Sequence, residues 1–245
     1  MDSGFYAACT GLMSRMDALD TIANNLANST TAGFQASQNV FSEVLASTDN
    51  TELSVINQDV NDYGVLSGTR LDTSQGSLQK TGNELDLAIE GPGYFAVKTQ
   101  GGEMYTRSGQ FRVSASGLLV TAGGDPVLGP KGPIQILGEP LSISSDGTIS
   151  VSGAVAGQLK LVTFPPSTPL QSVGSGYLSA PPKSAVPAPG ATVQQGMLES
   201  SNVNPVTNTV AMITAQREVE TMRHVLTMFD TDMNKIAVQD IPHVS

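Results

Sequence analysis

The chain has no tryptophan, one cysteine and two histidines among 245 residues, and each shortage closes off a class of function. A lone Cys9 excludes an internal disulfide framework, a CxxC redox site and any multi-cysteine zinc site. His224 and His243 are too few for a histidine-based metal cluster. Charge is scarce too: Asp, Glu, Lys and Arg make up 14% of the chain, against roughly 25% in an average soluble domain. Cations are scarcest, 12 Lys and Arg against 22 Asp and Glu, for a net charge of −10. A duplex-binding surface needs clustered cations to displace counterions, so nucleic acid and anionic membrane are poor partners. Aromatic residues are only 5%, thin for a compact enzyme of this length. No apolar run approaches the roughly 18 residues of a membrane-spanning helix, so no membrane insertion is expected. Met1-Asp2-Ser3-Gly4 has no basic n-region and leads into no unbroken apolar stretch, so no cleaved secretory signal is expected.

What is present is concentrated at the two ends. Phe5, Cys9, Leu12, Met16, Leu19, Ala23 and Leu26 alternate spacings of four and three, an uncharged heptad stripe over about six turns of helix. Met212, Ala215, Val219, Met222, Leu226, Phe229, Met233 and Ile236 repeat the pattern near the other end. Asn204 can cap this second helix, and Pro205 suits its first turn, where a missing N–H costs nothing. Running to about Val238, it makes a rod of roughly 50 Å. A stripe of four or five positions reads as a plain core helix. Stripes this long, on two helices that cannot bury them alone, predict that the two pair as a coiled coil. Further apolar residues lie off the stripes: Met13 and Ile22 on the first helix, Val206, Val210, Ile213 and Val225 on the second. The pair therefore has seams on more than one side.

The middle differs. Residues 36–80 are polar and without sustained period, and read as an extended connector. From 81 onward Leu85, Leu87 and Ile89 alternate with Asp86, Ala88 and Glu90, and turn pairs such as Ser116-Gly117, Gly123-Gly124 and Asp146-Gly147 recur. A Pro-rich stretch over 165–192 reads as a return loop. The expected class is α+β, with N- and C-terminal helices pairing as a coiled coil around an inserted antiparallel all-β domain. Its parts are a discontinuous helical domain from 1–35 and 200–245, the connector 36–80, and the β insertion 81–199 with its Pro-rich return.

Chemistry is hard to find. Gly91-Pro92-Gly93-Tyr94-Phe95-Ala96 matches GxGxxA, but a strand-like run follows where a dinucleotide site needs a helix. Asp230, Asp232 and Asn234 imitate half an EF-hand loop without its Gly and Glu, and read as a solvated helix face. Gly174-Ser175-Gly176 lacks the spacing of a nucleophile elbow. Cys9, on the stripe, reads as a small buried hydrophobe, and His224 as a helix-flank residue. No catalytic residue, cofactor or metal is expected, and the chain does not read as an enzyme.

Four motifs occur in order. Asn24-Asn25-Leu26-Ala27-Asn28 leads to Thr31, Gly33 and Phe34; Thr81-Gly82-Asn83-Glu84-Leu85-Asp86 leads to Gly93-Tyr94-Phe95. Tyr105-Thr106-Arg107-Ser108-Gly109-Gln110-Phe111 and Gly196-Met197-Leu198-Glu199-Ser200-Ser201-Asn202-Val203-Asn204 follow. Together they resemble the motifs of bacterial flagellar rod and hook axial proteins over nearly the whole chain. The resemblance implies a structural subunit of the basal-body rod, the driveshaft to the hook, assembling through its terminal helices. As partners it implies further copies, neighbouring rod proteins, the flagellar type III export apparatus and the surrounding periplasmic rings. The implied location is the rod across the periplasm, reached without a cleaved signal. A short connector and the Gly124-Asp125-Pro126-Val127-Leu128-Gly129 segment look more like the proximal-rod branch than the distal-rod branch. The implied assembly interface comprises both stripes with Asn24, Asn25, Asn28, Gly33, Phe34, Asn202 and Asn204. Read by themselves, Asn24, Asn25 and Asn28 fit a helix terminus better than an interface, since Asn is common at caps and tolerates left-handed backbone. An alternative from another class is a secreted β adhesin on a coiled-coil stalk. It needs exposed aromatics, whereas Tyr94, Phe95, Tyr105 and Phe111 sit at alternating strand positions suited to a core.

Overall fold

The structure, a computed structural model, describes residues 2–43, 64–138 and 140–239. Helix α1 spans Asp2–Ala27, and α2 spans Pro205–Gln239. Between them run β1 (Ser37–Glu43), β2 (Gly64–Leu71), β3 (Leu78–Lys80), β4 (Leu87–Glu90), β5 (Tyr94–Thr99) and β6 (Gly102–Thr106). Then come β7 (Phe111–Val113), β8 (Leu119–Thr121), β9 (Leu128–Gly129), β10 (Gly132–Pro133), β11 (Leu141–Ile143), β12 (Thr148–Val151) and β13 (Ala154–Gln158). The last are β14 (Leu161–Thr163), β15 (Gln171–Gly174), β16 (Tyr177–Ser179), β17 (Val186–Pro187), β18 (Thr192–Gln195) and β19 (Met197–Glu199). The class is α+β. One compact unit gathers the helices with β1 and most of β2; the other gathers Ala27–Ala36 and Leu71–Val203.

In the helical unit, α2 starts where the sequence places it. Asn204 Oδ1 accepts from the backbone N–H groups of Val206 and Thr207 at 3.0 and 3.3 Å, an N-cap. Arg15 Nη1 pairs with Glu218 Oε2 at 3.0 Å, and Met222 lies beside Gly11. Four residues forward on α1 are four back on α2, so the helices run antiparallel. The same register sets Ala18 level with Ala215, and both are buried. On α1 this level falls one residue off the expected stripe, and Met16 on the stripe is 50% exposed. Cys9, Leu12, Leu19, Ala23, Leu26, Met212, Val219, Met222 and Leu226 are half-buried. Phe5, Phe229, Met233 and Ile236 ride on the helices, but their side chains lie outside the described residues.

The β unit is built on a six-stranded antiparallel sheet in the order β15-β16-β6-β5-β14-β17. Strand β5 is central and buried on both faces, which explains why its four leading residues are all apolar or aromatic. Phe95 and Val97 join one cluster with Leu87, Ile89, Leu119 and Ile149; Tyr94 and Ala96 join another with Tyr105, Val162 and Leu178. Phe95 meets Phe111 edge-on, ring centres 5.0 Å apart. The four aromatics an adhesin would have to display are thus all buried. The strand after Gly93 also replaces the helix a dinucleotide site requires.

Three expectations change. The stretch 36–80 contributes three strands: β1 pairs with β2, and β3 pairs with β19 in the register Leu78↔Glu199 to Lys80↔Met197. The Pro-rich stretch contributes β15, β16 and β17, with Leu178 buried. Its Pro187 sits on an edge strand, where a missing N–H breaks no inner ladder. Segment 27–36, read from the sequence as part of the helical domain, groups with the β unit.

Candidate functional site

Within the β unit the four motifs converge on one buried cluster, built outward from Gly33. Its φ is +66°, a left-handed conformation open to glycine, and a Cβ there would overlap the backbone of Arg107 and Ser108. Gly33 N–H also donates to Glu199 O at 2.7 Å. Arg107 Nη1 pairs with Glu199 Oε2 at 2.9 Å, the side chains 3% and 2% exposed. The same guanidinium donates to Ile89 O at 3.3 Å and Gly91 O at 2.9 Å, and lies 5.3 Å from the centre of the Tyr94 ring. Glu199 Oε1 accepts from Gly76 N–H at 2.9 Å, and Tyr94 OH donates to Gln35 Oε1 at 3.0 Å. Burial pushes the Glu199 carboxyl above the usual carboxylate range, against the opposing pull of Arg107. Burial likewise raises the Tyr94 hydroxyl, opposed first by its bond to Gln35.

Asn202 closes the cluster. Its Oδ1 accepts from Ala36 N–H at 2.8 Å, its Nδ2 donates to Asp72 O and Ser74 O at 2.9 and 3.1 Å, and its backbone N–H donates to Phe34 O at 3.2 Å. Segments 33–36, 72–76, 107 and 199–202 are therefore clamped together. The second motif works nearby: Asn83 Nδ2 donates to Asp86 Oδ1, and Asp86 O accepts from Gly196 N–H. In the helical unit, Asn25 exchanges two bonds with the Ser37 backbone, at 2.8 and 2.9 Å. Asn28 accepts from the Thr31 hydroxyl and backbone N–H in a turn, and Asn24 is exposed.

The structure brings Gly33, Phe34 and Asn202 together but leaves Asn204 as a helix cap. Sequence reasoning missed Arg107, Glu199 and Gln35. The available signal was an Arg and a Glu inside motifs of a chain with few charges. Nothing here resembles a reaction centre. Among the described residues no three His, Cys, Asp or Glu side chains gather for a metal, and no helix is long and apolar enough to cross a membrane. Cys9 is a half-buried free thiol, and His224 is exposed. Exposed large apolar residues also occur on α2, where Val206, Val210 and Ile213, at spacings of four and three, are 72%, 61% and 47% exposed.

Comparison with known proteins agrees along the chain. The flagella basal body rod protein family matches residues 5–35, the flagellar hook protein FlgE/F/G D1 domain residues 88–151, and the flagellar basal body rod FlgEFG protein C-terminal family residues 194–238. The chain is 33% identical over 225 residues to the flagellar basal-body rod protein FlgF of Mesorhizobium japonicum, covering 90% of each. It is 35% identical over 228 residues to FlgF of Caulobacter vibrioides, covering 91% of each. To the flagellar basal-body rod protein FlgG of Bacillus subtilis it is 33% identical over 255 residues, covering 94% of this chain and 96% of that protein.

Proposed function

The chain belongs to the flagellar basal-body rod protein family, structural subunits and not enzymes, and we propose that it stacks in the rod through its terminal helices. The observation that carries this reading is the exposed stripe of Val206, Val210 and Ile213 on α2, with Met13 and Met16 exposed on α1. Large apolar side chains left in water at helical spacing form a surface that gains stability when a neighbour covers it. Coiled-coil pairing belongs to this proposal, with α1 and α2 stripes meeting those of neighbouring copies as well as each other. So does the interface role of Asn24, Asn25 and Asn28. A repeat contact between two different faces does not close on itself, and so builds a helical array. The partners are further copies and adjacent rod proteins. The export apparatus and the periplasmic rings are the remaining contacts, and the rod across the periplasm is the location.

Within the family the proximal-rod, FlgF-like role is favoured. The match to the Bacillus FlgG spans 255 positions, more than the 245 residues of this chain, and so needs gaps opened in it. The FlgF matches, over 225 and 228, run without such an excess. The test of assembly is Ile213→Asp combined with Val210→Asp, expressed in cells lacking the native chain. The expected result is normal export, an unchanged β unit and loss of swimming. Normal swimming would overturn the stacking model, and electron cryo-microscopy of basal bodies reads the rod position directly.

A further inference from the structure

We propose that the cleft beside the Arg107–Glu199 pair is a binding site for a single water molecule that completes the hydrogen bonding of the clamp. The cleft holds about 10 Å³ and is lined by Gly33, Phe34, Gln35, Arg107, Ser172 and Leu178. That is close to the volume one water requires, and too small for an organic ligand. Two of the lining side chains, Gln35 and Arg107, are more than nine-tenths buried, and each carries a donor with no protein acceptor: Gln35 Nε2 and Arg107 Nε. Their other polar atoms are occupied, Gln35 Oε1 by Tyr94 OH and the Arg107 terminal nitrogens by Glu199, Ile89 and Gly91. Buried donors in native proteins are nearly always satisfied, by protein or by ordered water. One water oxygen has two lone pairs, one for Arg107 Nε–H and one for an Nε2–H of Gln35, and two protons left for acceptors at the mouth, where Ser172 is exposed.

Charge argues for water over an anion. Glu199 already neutralises Arg107 at 2.9 Å, so a halide would add a second negative charge beside a buried carboxylate. The water therefore joins the motif loop at Gly33–Gln35 to the hairpin of β15 and β16, through the two orphaned donors and the Ser172 side of the mouth.

The experiment is water-selective nuclear Overhauser spectroscopy on the ¹⁵N-labelled full chain. Arg107 Nε–H and the Gln35 amide protons are expected to show negative cross-peaks to water, the sign of a long-lived bound molecule. In Gln35→Met, checked for native near-ultraviolet dichroism, the cross-peak at Arg107 is expected to weaken or vanish, since the water loses a partner. Should that variant not fold, the native chain alone decides. Absence of cross-peaks at both groups overturns the proposal. So does a saturable shift of Arg107 Nε–H on titration with chloride but not sulfate, which would mark a halide site.

Discussion

Among single side chains, the buried Arg107–Glu199 pair couples stability to pH. Because burial raises the folded-state Glu199 pKa above its unfolded value, the fold holds that proton more tightly than the unfolded chain does. This group's contribution is therefore fully present below the ordinary glutamate range and is lost as pH rises through the raised value. Arg107 limits the rise. In Arg107→Leu the carboxylate loses its main counter-charge, so the variant should lose about 3–5 kcal/mol near neutral pH and markedly less near pH 5, read by urea unfolding at both values. Equal losses would show that Glu199 ionisation is not what Arg107 supports. Glycine gives a second test. Gly33→Ala must displace the backbone of Arg107 and Ser108, whereas Gly82, at φ +76°, faces open space. Gly82→Ala should cost about 1–2 kcal/mol of left-handed strain, and Gly33→Ala clearly more, about 4 kcal/mol or beyond, by thermal unfolding.

For the strands and helices, the local turn pattern marks a β segment over about 81–165, but the fold closes outside it. Strands β3 and β4 pair with β19 and β18, and β16 lies inside the main sheet. A fragment of residues 27–203 should melt cooperatively by circular dichroism, and one of 81–165 should not. A cooperative melt of the shorter piece would show those pairings to be dispensable. The same contrast separates what could be read in advance from what could not. Alternation exposed β4 and β5, and cap chemistry placed the start of α2 at Pro205, because those signals are local. The pairing of Leu78 with Glu199 leaves no period in either segment, so β3 hid inside an apparent connector. The heptad spacing found both helices yet misplaced the contact line on α1. The contacts to α2 run through Gly11, Arg15 and Ala18, whereas a stripe read by hydrophobicity favours Met16 instead. Gly33, Phe34 and Asn202 stood out as motif members, but their joint role depends on Arg107 and Glu199, brought near only by the fold.

Taken as one particle, the chain carries a net charge of −10 that opposes self-association, while the exposed valines and Ile213 of α2 favour it. Salt screens the first and leaves the second, so sedimentation of the purified chain should shift toward larger species as ionic strength rises. Ile213→Asp should abolish that shift, and a shift that persists in the variant would place the association elsewhere. The clamp has a further consequence, a mechanical one. Gly33 is bonded to Glu199, and Phe34 and Ala36 to Asn202, so two stretches remote in sequence are short-circuited. Once the contacts between α1 and α2 have parted, tension drawn along the chain from one terminus to the other crosses at these few bonds and bypasses the strands lying between Ala36 and Glu199. Under load the sheet thus stands outside the path of force, as a bracket beside a taut cable. Pulling the full chain by its ends in a single-molecule force experiment should part the helix pair first, then give one small release as the clamp parts, followed by stepwise extension of the β unit. Extension of the β unit with no release between the parting of the helices and that extension would show that the force runs through the sheet instead.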